Sequence, residues 1–275
     1  MVQLPTQRTE VDRRWVSQKL LMLGQAGVGK SSFFACDPHA LFLDCDHNLH
    51  HLQVYSIPIW SWDDLRETYV QLAEQAAKKE PFPYSTIVLD TLDKALAYCE
   101  EDVIQRARER FKKQEIYALS DVPEGAGWSN TTKAFLQLLD KLAGLPVAFA
   151  GVSHTQVKRV EEPLQKYDRE AISLWGQVGT KTTYFVNHIL HVQAYHQGDR
   201  LVRKVYTLPR KEMEAKSHGA VIPDGWEMQP NMMANWVAVR NLFEPKVNAD
   251  GTPAMPTPAQ QPGDQAAIAV QRTTA

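Results

Sequence analysis

Short apolar runs alternate with longer stretches of helical periodicity over the first 150 residues. Four apolar runs predict buried strands at Leu20–Leu23, Ala40–Leu43, Thr86–Leu89 and Val147–Val152. Between them, apolar residues at helical spacing predict helices over Trp62–Lys79, Leu92–Tyr117 and Asn130–Ala143. Strands that alternate with helices indicate right-handed crossovers, so we predict an α/β fold with a mainly parallel central sheet flanked by helices.

The C-terminal third of the chain has a different pattern. Two apolar runs, Asn187–Tyr195 and Arg200–Leu208, are separated by a short turn and predict a β-hairpin beside the sheet. From position 245 onward, the last 31 residues contain five prolines, seven alanines and no aromatic residue, which is typical of a disordered tail. We therefore divide the chain into an N-terminal extension (1–17), a folded core (18–244) and a tail (245–275).

The strongest motif follows the first predicted strand and fits the phosphate-loop pattern G-x-x-x-x-G-K-[ST]. Its glycines allow several backbone N–H groups to converge on a phosphate, while the lysine reaches the β- and γ-phosphates and the serine binds Mg²⁺. The alternative is a glycine-rich turn that holds a lysine by chance. The motif predicts binding of ATP with Mg²⁺ by Gly24, Gln25, Ala26, Gly27, Val28, Gly29, Lys30, Ser31 and Ser32.

A second element of such a site is a carboxylate at the end of a neighbouring strand. The run STIVLD ends in Asp90, which we predict to lie beside the Mg²⁺ ion at the carboxyl edge of the sheet. The alternative is that Asp90 caps the helix that starts at Thr91, and the two roles are compatible.

Two further strand ends carry candidate catalytic groups. Asp44 and Asp46 follow the second strand, and Asp46 is the better placed to orient a water for attack on the γ-phosphate. His154 follows the fourth strand, where a polar side chain can bind the γ-phosphate and sense its loss. The alternatives are a solvated loop acid and a surface histidine. The nearby His47, His50 and His51 lack the ligand set of a zinc site.

Charge and cysteine content narrow the function classes. The chain has 30 Lys+Arg against 32 Asp+Glu, a net charge of −2, which argues against nucleic-acid binding by bulk positive charge. However, the residues from Thr155 to His218, which we call the basic stretch, carry 11 Lys+Arg against 7 Asp+Glu, so charge is partitioned along the chain. The three cysteines show no pairing pattern in the sequence, which predicts a reducing, cytoplasmic setting. We also expect no membrane-spanning segment and no secretory signal.

Four segments in order resemble the RecA-like recombinase ATPases: LMLGQAGVGKSS, LFLDCDHNLHHL, STIVLDTLDKAL and VAFAGVSHTQVK. A fifth segment, GTKTTYFVNHILHVQAY, is similar to the stretch that follows their second DNA-binding loop. The resemblance covers about residues 20–218, and the short chain looks most like the compact RecA-like ATPases of phages. It implies a RecA-like fold, a location in the host cytoplasm, and roles in single-strand annealing, recombination or repair.

The resemblance also implies residue roles. Asp46 takes the place of the catalytic acid, which is usually glutamate, and His154 takes a position often held by glutamine. The DNA-binding loops correspond to Phe111–Trp128 and Gln156–Gly179. The implied phosphate contacts are Lys112, Lys113, Lys158, Arg159, Lys166 and Arg169, with Tyr167, Trp128 or Trp175 stacking on bases. Cations that reach the ATP of the next subunit correspond to Arg210, Lys211 or Lys216.

Two hypotheses of different class follow. The first is a DNA-stimulated ATPase that binds single-stranded DNA, assembles into a filament or ring, and has a single-strand-binding protein as a further candidate partner. The second is a nucleotide-dependent switch or adaptor that controls a protein partner. Aspartate has one methylene less than glutamate, and this shorter reach to water favours the second hypothesis. A small-molecule kinase is weaker because the sequence shows no lid-like arginine cluster.

Overall fold

The computed structural model describes residues 4, 6, 12–78, 80–113, 115–162 and 165–243. Within them the strands are β1 (Lys19–Gly24), β2 (Ala40–Asp44), β3 (Tyr55–Pro58), β4 (Thr86–Asp90), β5 (Ala148–Ser153), β6 (Thr155–Glu162), β7 (Gln165–Ile172), β8 (His188–Gln197), β9 (Arg200–Tyr206), β10 (Lys216–Ser217) and β11 (Trp226–Glu227). The α-helices are α1 (Lys30–Phe34), α2 (Trp62–Ala76), α3 (Leu92–Phe111), α4 (Ala126–Ala143), α5 (Gly176–Phe185) and α6 (Met232–Arg240). Contacts group the described residues into one compact unit that ends at Phe243.

The central sheet has the strand order β11-β9-β8-β1-β5-β4-β2-β3, and β10 pairs with β8. Strands β8, β1, β5, β4, β2 and β3 are mutually parallel, whereas β9, β10 and β11 join the sheet by antiparallel pairing. Because β5 lies between β1 and β4, the end of β5 stands between the phosphate-loop motif and Asp90. In an open parallel sheet, ligands bind at this carboxyl edge.

Alternate side chains of the central strands bury two separate hydrophobic clusters, one on each face of the sheet. On β1, Leu21 and Leu23 pack with α2, α3 and α4, whereas Leu20 and Met22 pack with α1 and α6 on the other face. Strands covered on both faces read as continuous apolar runs, and this is why the sequence predicted them. Each fully buried Leu contributes about 1.5–3 kcal/mol relative to an exposed one.

Strands β6 and β7 form a separate antiparallel ribbon. It begins directly after His154, which is the single residue between β5 and β6. The ribbon is joined to residues 207–215, which we call the segment before β10. The Glu170 N–H donates to the Glu212 carbonyl at 2.8 Å, and the Ile172 N–H donates to the Glu214 side chain at 2.9 Å. Glu170 also contacts a ring nitrogen of buried His191 on β8 at 2.9 Å. These contacts fix the base of the ribbon to the sheet.

The predicted fold class is confirmed: the sheet is mainly parallel, helices flank it, and β8 and β9 form the appended hairpin. All three predicted helices have different bounds, and helix α2 ends at Ala76 rather than Lys79. Helix α3 ends at Phe111 rather than Tyr117, because Lys112 adopts a left-handed backbone with φ 52°. Helix α4 begins at Ala126 rather than Asn130, after Gly125 with φ 65°. Strands β3, β10 and β11, the ribbon, α5 and α6 were not predicted. The predicted tail at 245–275 and most of the extension at 1–17 lie outside the described residues.

Candidate nucleotide-binding site

The phosphate-loop motif connects β1 to α1 at the carboxyl edge of the sheet. A β-carbon at Gly24 would lie 2.6 Å from the Val192 carbonyl oxygen, so only glycine allows the loop to leave β1 so close to β8. Gly29 has φ +94° and precedes Lys30, the first residue of α1. A β-carbon there would lie 3.0 Å from Cε of Met232, which begins α6. Gly24 is therefore required by its close backbone neighbour, and Gly29 by its left-handed backbone conformation.

Lys30 is buried, with 6% of its surface exposed, and its Nζ donates to two carbonyls of its own loop. The acceptors are the carbonyl oxygens of Gly24 at 2.9 Å and of Gln25 at 2.8 Å. Burial lowers the pKa of Lys30, whereas the negative charges of Asp90, Asp93 and Asp46 act in the opposite direction. Because backbone carbonyls hold the Lys30 ammonium and the acids act on it only from a distance, the ammonium is available to an incoming phosphate.

Ser31 and Asp90 contact each other, as the motif predicts for two Mg²⁺ ligands. The Ser31 side chain donates a hydrogen bond to Asp90, which is 3% exposed. Burial, together with the charges of Asp46 and Asp44, raises the pKa of Asp90 to about 6, so a cation placed here would stabilise its carboxylate. The part of the chain that the structure describes contains no cluster of three His, Cys, Asp or Glu side chains that could hold a metal. A hydroxyl and one carboxylate fit Mg²⁺ bound together with nucleotide phosphates and waters.

The two acids after β2 have different environments. Asp44 is buried and accepts a hydrogen bond from the His47 N–H at 2.8 Å, so it holds the turn in which His47 has φ 56°. Asp46 is half-buried, and its negative charge acts on Lys30, Asp90 and His154. Asp46 therefore faces the same site as the phosphate-loop lysine. The alternative role of Asp90 as a helix cap is wrong, because Thr91 accepts the Lys94 N–H and caps α3.

His154 lies between the phosphate loop and Asp90, because Ser153 at the end of β5 is in register with Leu23 of β1, and Val152 with Asp90 of β4. Its Nδ1 lies 2.7 Å from Asp93 Oδ2. This hydrogen bond raises the pKa of His154, whereas burial and the charge of Lys30 oppose the increase.

Asp93 is the site residue that sequence reasoning missed. Burial would raise its pKa, but the hydrogen bonds from His154 and Ser153 outweigh that effect and keep the pKa of Asp93 below its ordinary value. The available signal was an acid in the first turn of the helix that follows Asp90, three residues along the chain. We call Gly24–Ser31, Asp46, Asp90, Asp93 and His154 the nucleotide edge.

The three cations proposed to act across a subunit interface lie away from these residues in contacts of their own. Arg210 pairs with Asp224 at 2.5 Å, and Lys211 Nζ donates to Gln165 at 3.0 Å. Lys216 Nζ donates to the carbonyls of Thr183, Tyr184 and Val186 at the end of α5, the shortest distance being 2.6 Å. Lys216 therefore caps a helix, whereas Arg210 and Lys211 make exchangeable surface contacts.

The residues proposed to contact DNA are spread over the end of α3 and the ribbon. Within the ribbon, Arg159 pairs with Asp168 at 2.8 Å and Lys166 with Glu161 at 2.8 Å. The remaining members have backbone contacts or lie exposed: Lys158 donates to Leu174, Arg169 donates to Lys211 and Arg210, and Lys112 and Lys113 are exposed after α3. The expected second loop at Gln156–Gly179 is thus a β-ribbon followed by the start of α5. Its alternating charges conceal the strand pattern.

The aromatic candidates for base stacking also differ in accessibility. Trp128 is 47% exposed and stands edge-on to Trp175, with ring centroids 4.8 Å apart. Trp175 donates its indole N–H to Glu100, and the Tyr167 hydroxyl donates to Glu162 at 2.8 Å. Trp128 is therefore the most accessible of the three.

The family AAA_24, described as an AAA domain, matches residues 17–218. Similar solved structures include a KaiC-like protein from the hyperthermophilic archaeon Pyrococcus horikoshii OT3, with 12% identity, a TM-score of 0.39, and coverage of 70% of this chain and 78% of that chain. Another is the flagellar accessory protein FlaH from Methanocaldococcus jannaschii, with 10% identity, a TM-score of 0.37, and coverage of 75% and 81%. No curated protein matches the sequence. Among the described residues, no helix is both long enough and apolar enough to cross a bilayer.

Proposed function

The chain belongs to the AAA domain family, and from this premise we propose that it binds ATP with Mg²⁺ and hydrolyses it to ADP and phosphate. The observation that carries the proposal is the row of strand ends at the nucleotide edge. The phosphate loop follows β1, His154 follows β5, Asp90 ends β4 and Asp46 follows β2, in the spatial order of the sheet. One edge thereby gathers a phosphate cradle, a metal-binding carboxylate and a candidate base.

Phosphate binding requires a change at Lys30. Its Nζ donates to the carbonyls of Gly24 and Gln25, and both bonds are replaced when the ammonium turns to the β- and γ-phosphate oxygens. The backbone N–H groups of the loop then hold the β-phosphate. Ser31 and Asp90 would hold the Mg²⁺ ion, which would neutralise charge that develops on the transferring phosphoryl group.

Asp46 orients the attacking water in this proposal. The water loses its proton to the carboxylate as its oxygen attacks the γ-phosphorus, and the bond to the β–γ bridging oxygen breaks to release ADP. Asp46 suits this task because its charge acts on Lys30 and His154. No described hydrogen bond or ion pair engages its carboxylate within residues 12–243.

The hydrolysis proposal is tested by steady-state ATPase assays with Mg²⁺, beside assays with EDTA. Lys30→Ala should lower kcat/KM by about two to three orders of magnitude, because a cation on the transferring phosphoryl group is lost. Asp46→Asn should lower kcat by at least about a hundredfold with ATP affinity retained. Asp140→Asn, on the exposed surface of α4, is the matched control. Equal hydrolysis by Asp46→Asn and the control would exclude Asp46 as the base.

The partner we propose is single-stranded DNA, bound by the ribbon and the turn after α3. The support is the net charge of +4 over the basic stretch, the exposed Trp128, and the resemblance to compact phage recombination ATPases. The ion pairs of Arg159 and Lys166 are solvent-exposed, and such pairs are worth about 0–1 kcal/mol, so a DNA phosphate can replace the acid.

Assembly into a filament or ring is a further part of the proposal. Of the three candidates to reach the ATP of a neighbouring subunit, Arg210 and Lys211 are the more accessible, since both stand on an exposed segment with surface partners. Specific activity should then rise with protein concentration, and the double variant Arg210→Ala, Lys211→Ala should abolish that rise. Unchanged concentration dependence in the double variant would remove both residues from the mechanism.

A nucleotide-dependent switch or adaptor is the second candidate function. Aspartate in place of the usual glutamate favours it, and so does the pairing of most basic residues with acids or carbonyls. ATP binding rather than turnover would then govern a protein partner.

One experiment separates the two functions. ATPase activity is measured with and without single-stranded DNA for the wild type, Lys30→Ala and Asp46→Asn. Stimulation by DNA in the wild type, lost in both variants, supports the DNA-dependent ATPase. Tight ATP binding without stimulation and without DNA retention on a filter supports the switch.

A further inference from the structure

We propose that Asp93 is a positioning residue that holds His154 with its Nε2 directed to the γ-phosphate. This inference rests on the proposed function of the nucleotide edge and assigns a role to a residue outside the phosphate-loop motif. Asp93 accepts three hydrogen bonds: from His154 Nδ1 at 2.7 Å, from the His154 backbone N–H at 3.1 Å, and from Ser153 Oγ at 2.5 Å. One carboxylate thus fixes both the backbone and the ring of His154.

Helix α3 brings Asp93 to this position. Thr91 caps the helix by accepting the Lys94 N–H, so Asp93 lies in a fixed first turn. A β-carbon at Gly151 would lie 2.9 Å from Leu92 Cδ1, so the absence of a side chain at Gly151 lets the start of α3 approach β5 closely. The carboxylate therefore reaches the end of β5 because of the residue types on both elements.

The chemistry of the pair follows from the ring nitrogens. Asp93 is an acceptor, so His154 Nδ1 carries a proton and donates it. The described residues give Nε2 no hydrogen-bond partner, and 37% of the side chain is exposed. The neutral ring would present a lone pair at Nε2, whereas the imidazolium presents an N–H that can donate to a phosphate oxygen.

Three charged groups act on His154 from the elements around it: Asp93 on α3, Lys30 at the start of α1, and Asp46 after β2. The two acids favour the imidazolium and Lys30 disfavours it. The γ-phosphate of ATP adds further negative charge beside the ring, and its loss on hydrolysis removes that charge. His154 then distinguishes ATP from ADP, and Asp93 keeps the donor aimed at the place where they differ.

The test combines nucleotide binding with a direct readout of the ring. Affinities for a non-hydrolysable ATP analogue and for ADP are measured from pH 5.5 to 8.5, and the His154 ring resonances are followed by NMR, assigned with His154→Gln. In the wild type we expect the preference for the ATP analogue to fall as pH rises. In Asp93→Asn the fall should occur at lower pH, with about a tenfold loss of preference near neutral pH.

Two variants keep the result interpretable. Asp102→Asn lies farther along the same helix, where Asp102 pairs with Arg106 and Arg66, and it should leave the profile unchanged. Asp93→Glu should restore part of the wild-type profile because it keeps the negative charge. Retained ADP affinity shows that Asp93→Asn has folded, since the phosphate loop is intact.

The outcomes separate the inference from the proposed function. If the wild type binds neither nucleotide, the proposed function fails and takes the inference with it. If nucleotides bind but the His154 resonances respond equally to ADP and to the ATP analogue, the inference alone is overturned. The same holds if Asp93→Asn and His154→Gln have additive effects, because a residue that acts through His154 has no effect once His154 is replaced.

Discussion

The nucleotide edge and the basic stretch both carry many charged groups, but the nucleotide edge also holds polar atoms that no described side chain engages. Lys30 is held by carbonyls of its own loop, Asp46 has no described hydrogen bond, and Nε2 of His154 is open. In the basic stretch, by contrast, Arg159, Lys166 and most other cations meet an acid or a carbonyl. A net charge of +4 therefore overstates the positive surface available to DNA.

The two regions also treat histidine in opposite ways. At the nucleotide edge, the hydrogen bond to Asp93 raises the pKa of His154. In the basic stretch, burial lowers the pKa of His188 to about 4, with the charges of His218 and Lys216 acting in the same direction. Titratable groups that are held ready for a ligand, at a cost in folding stability, are typical of functional sites. Groups whose hydrogen bonds are made within the fold are typical of structural regions. Substitutions at the nucleotide edge should therefore change mainly nucleotide binding, and substitutions in the basic stretch should change mainly folding stability.

The largest effect is expected for a glycine exchange. Gly24→Ala should weaken ATP binding by about a hundredfold, because a loop displaced by its new β-carbon misplaces every phosphate contact. The β-carbon would lie 2.6 Å from the Val192 carbonyl. Gly198→Ala, at a hairpin turn with φ +61° and open space, should cost about 1 kcal/mol of stability and leave binding unchanged. Calorimetric titration with ATP measures the affinity of both variants. Equal affinities would show that the close approach of Gly24 to β8 is dispensable.

The next effect concerns pH. A histidine whose folded pKa is lowered stays neutral while the unfolded chain takes up a proton, so stability falls as pH drops from about 6.5 toward 4. The loss reaches at most about 3 kcal/mol. His188→Gln should remove this loss while keeping a partner for Gln18 and Ser217. Urea unfolding at pH 7 and pH 5 tests it, and an unaltered pH dependence in the variant would assign the loss to other groups.

A smaller effect is expected at Lys216. Lys216→Ala removes three hydrogen bonds to the carbonyls at the end of α5 and a cation near a helix C-terminus, for a loss of about 1–2 kcal/mol. ATPase activity per folded molecule should stay constant, and Lys181→Ala on the exposed face of α5 is the control. A loss of activity without a loss of stability would place Lys216 in catalysis after all.

The smallest effect on stability is expected in the ribbon. Arg159→Ala with Lys166→Ala removes two exposed ion pairs and should change unfolding free energy by less than about 1 kcal/mol. If both residues bind DNA, the slope of log K against log salt should flatten by about 0.7 for each phosphate that the variant no longer neutralises. Fluorescence anisotropy with a labelled single strand at several salt concentrations measures this slope. An unchanged slope would exclude the two residues from DNA binding.

The central strands and the phosphate loop were predictable from sequence because each is a local pattern. Strands β1, β2, β4 and β5 are buried on both faces and read as apolar runs, and the loop depends on glycines at fixed spacing. The ribbon was missed because β6 is polar on both faces and has no apolar alternation. The end of α3 was misplaced because Lys112 adopts a left-handed conformation, which a lysine in the sequence does not predict.

Asp93 could not be found from local pattern alone. Its contacts with Ser153 and His154 join residues 60 and 61 positions apart, and they exist because β5 lies beside β4 in the sheet. That order follows from how the crossovers pack rather than from any single segment. Similarly, the partners of Arg210 and Lys216 depend on how the segment before β10 lies against its neighbours.

Hydrogen bonds between the ribbon and the segment before β10 couple the positions of the two elements. Arg169 donates to the carbonyls of Lys211 and Arg210, and Lys211 returns a bond to Gln165. The position of the ribbon strand β7 therefore helps to set the positions of Arg210 and Lys211. If a ligand on the ribbon stabilises one placement of these cations, then a ligand bound by the cations in that placement stabilises ligand binding on the ribbon. By thermodynamic reciprocity, the two coupling free energies are equal.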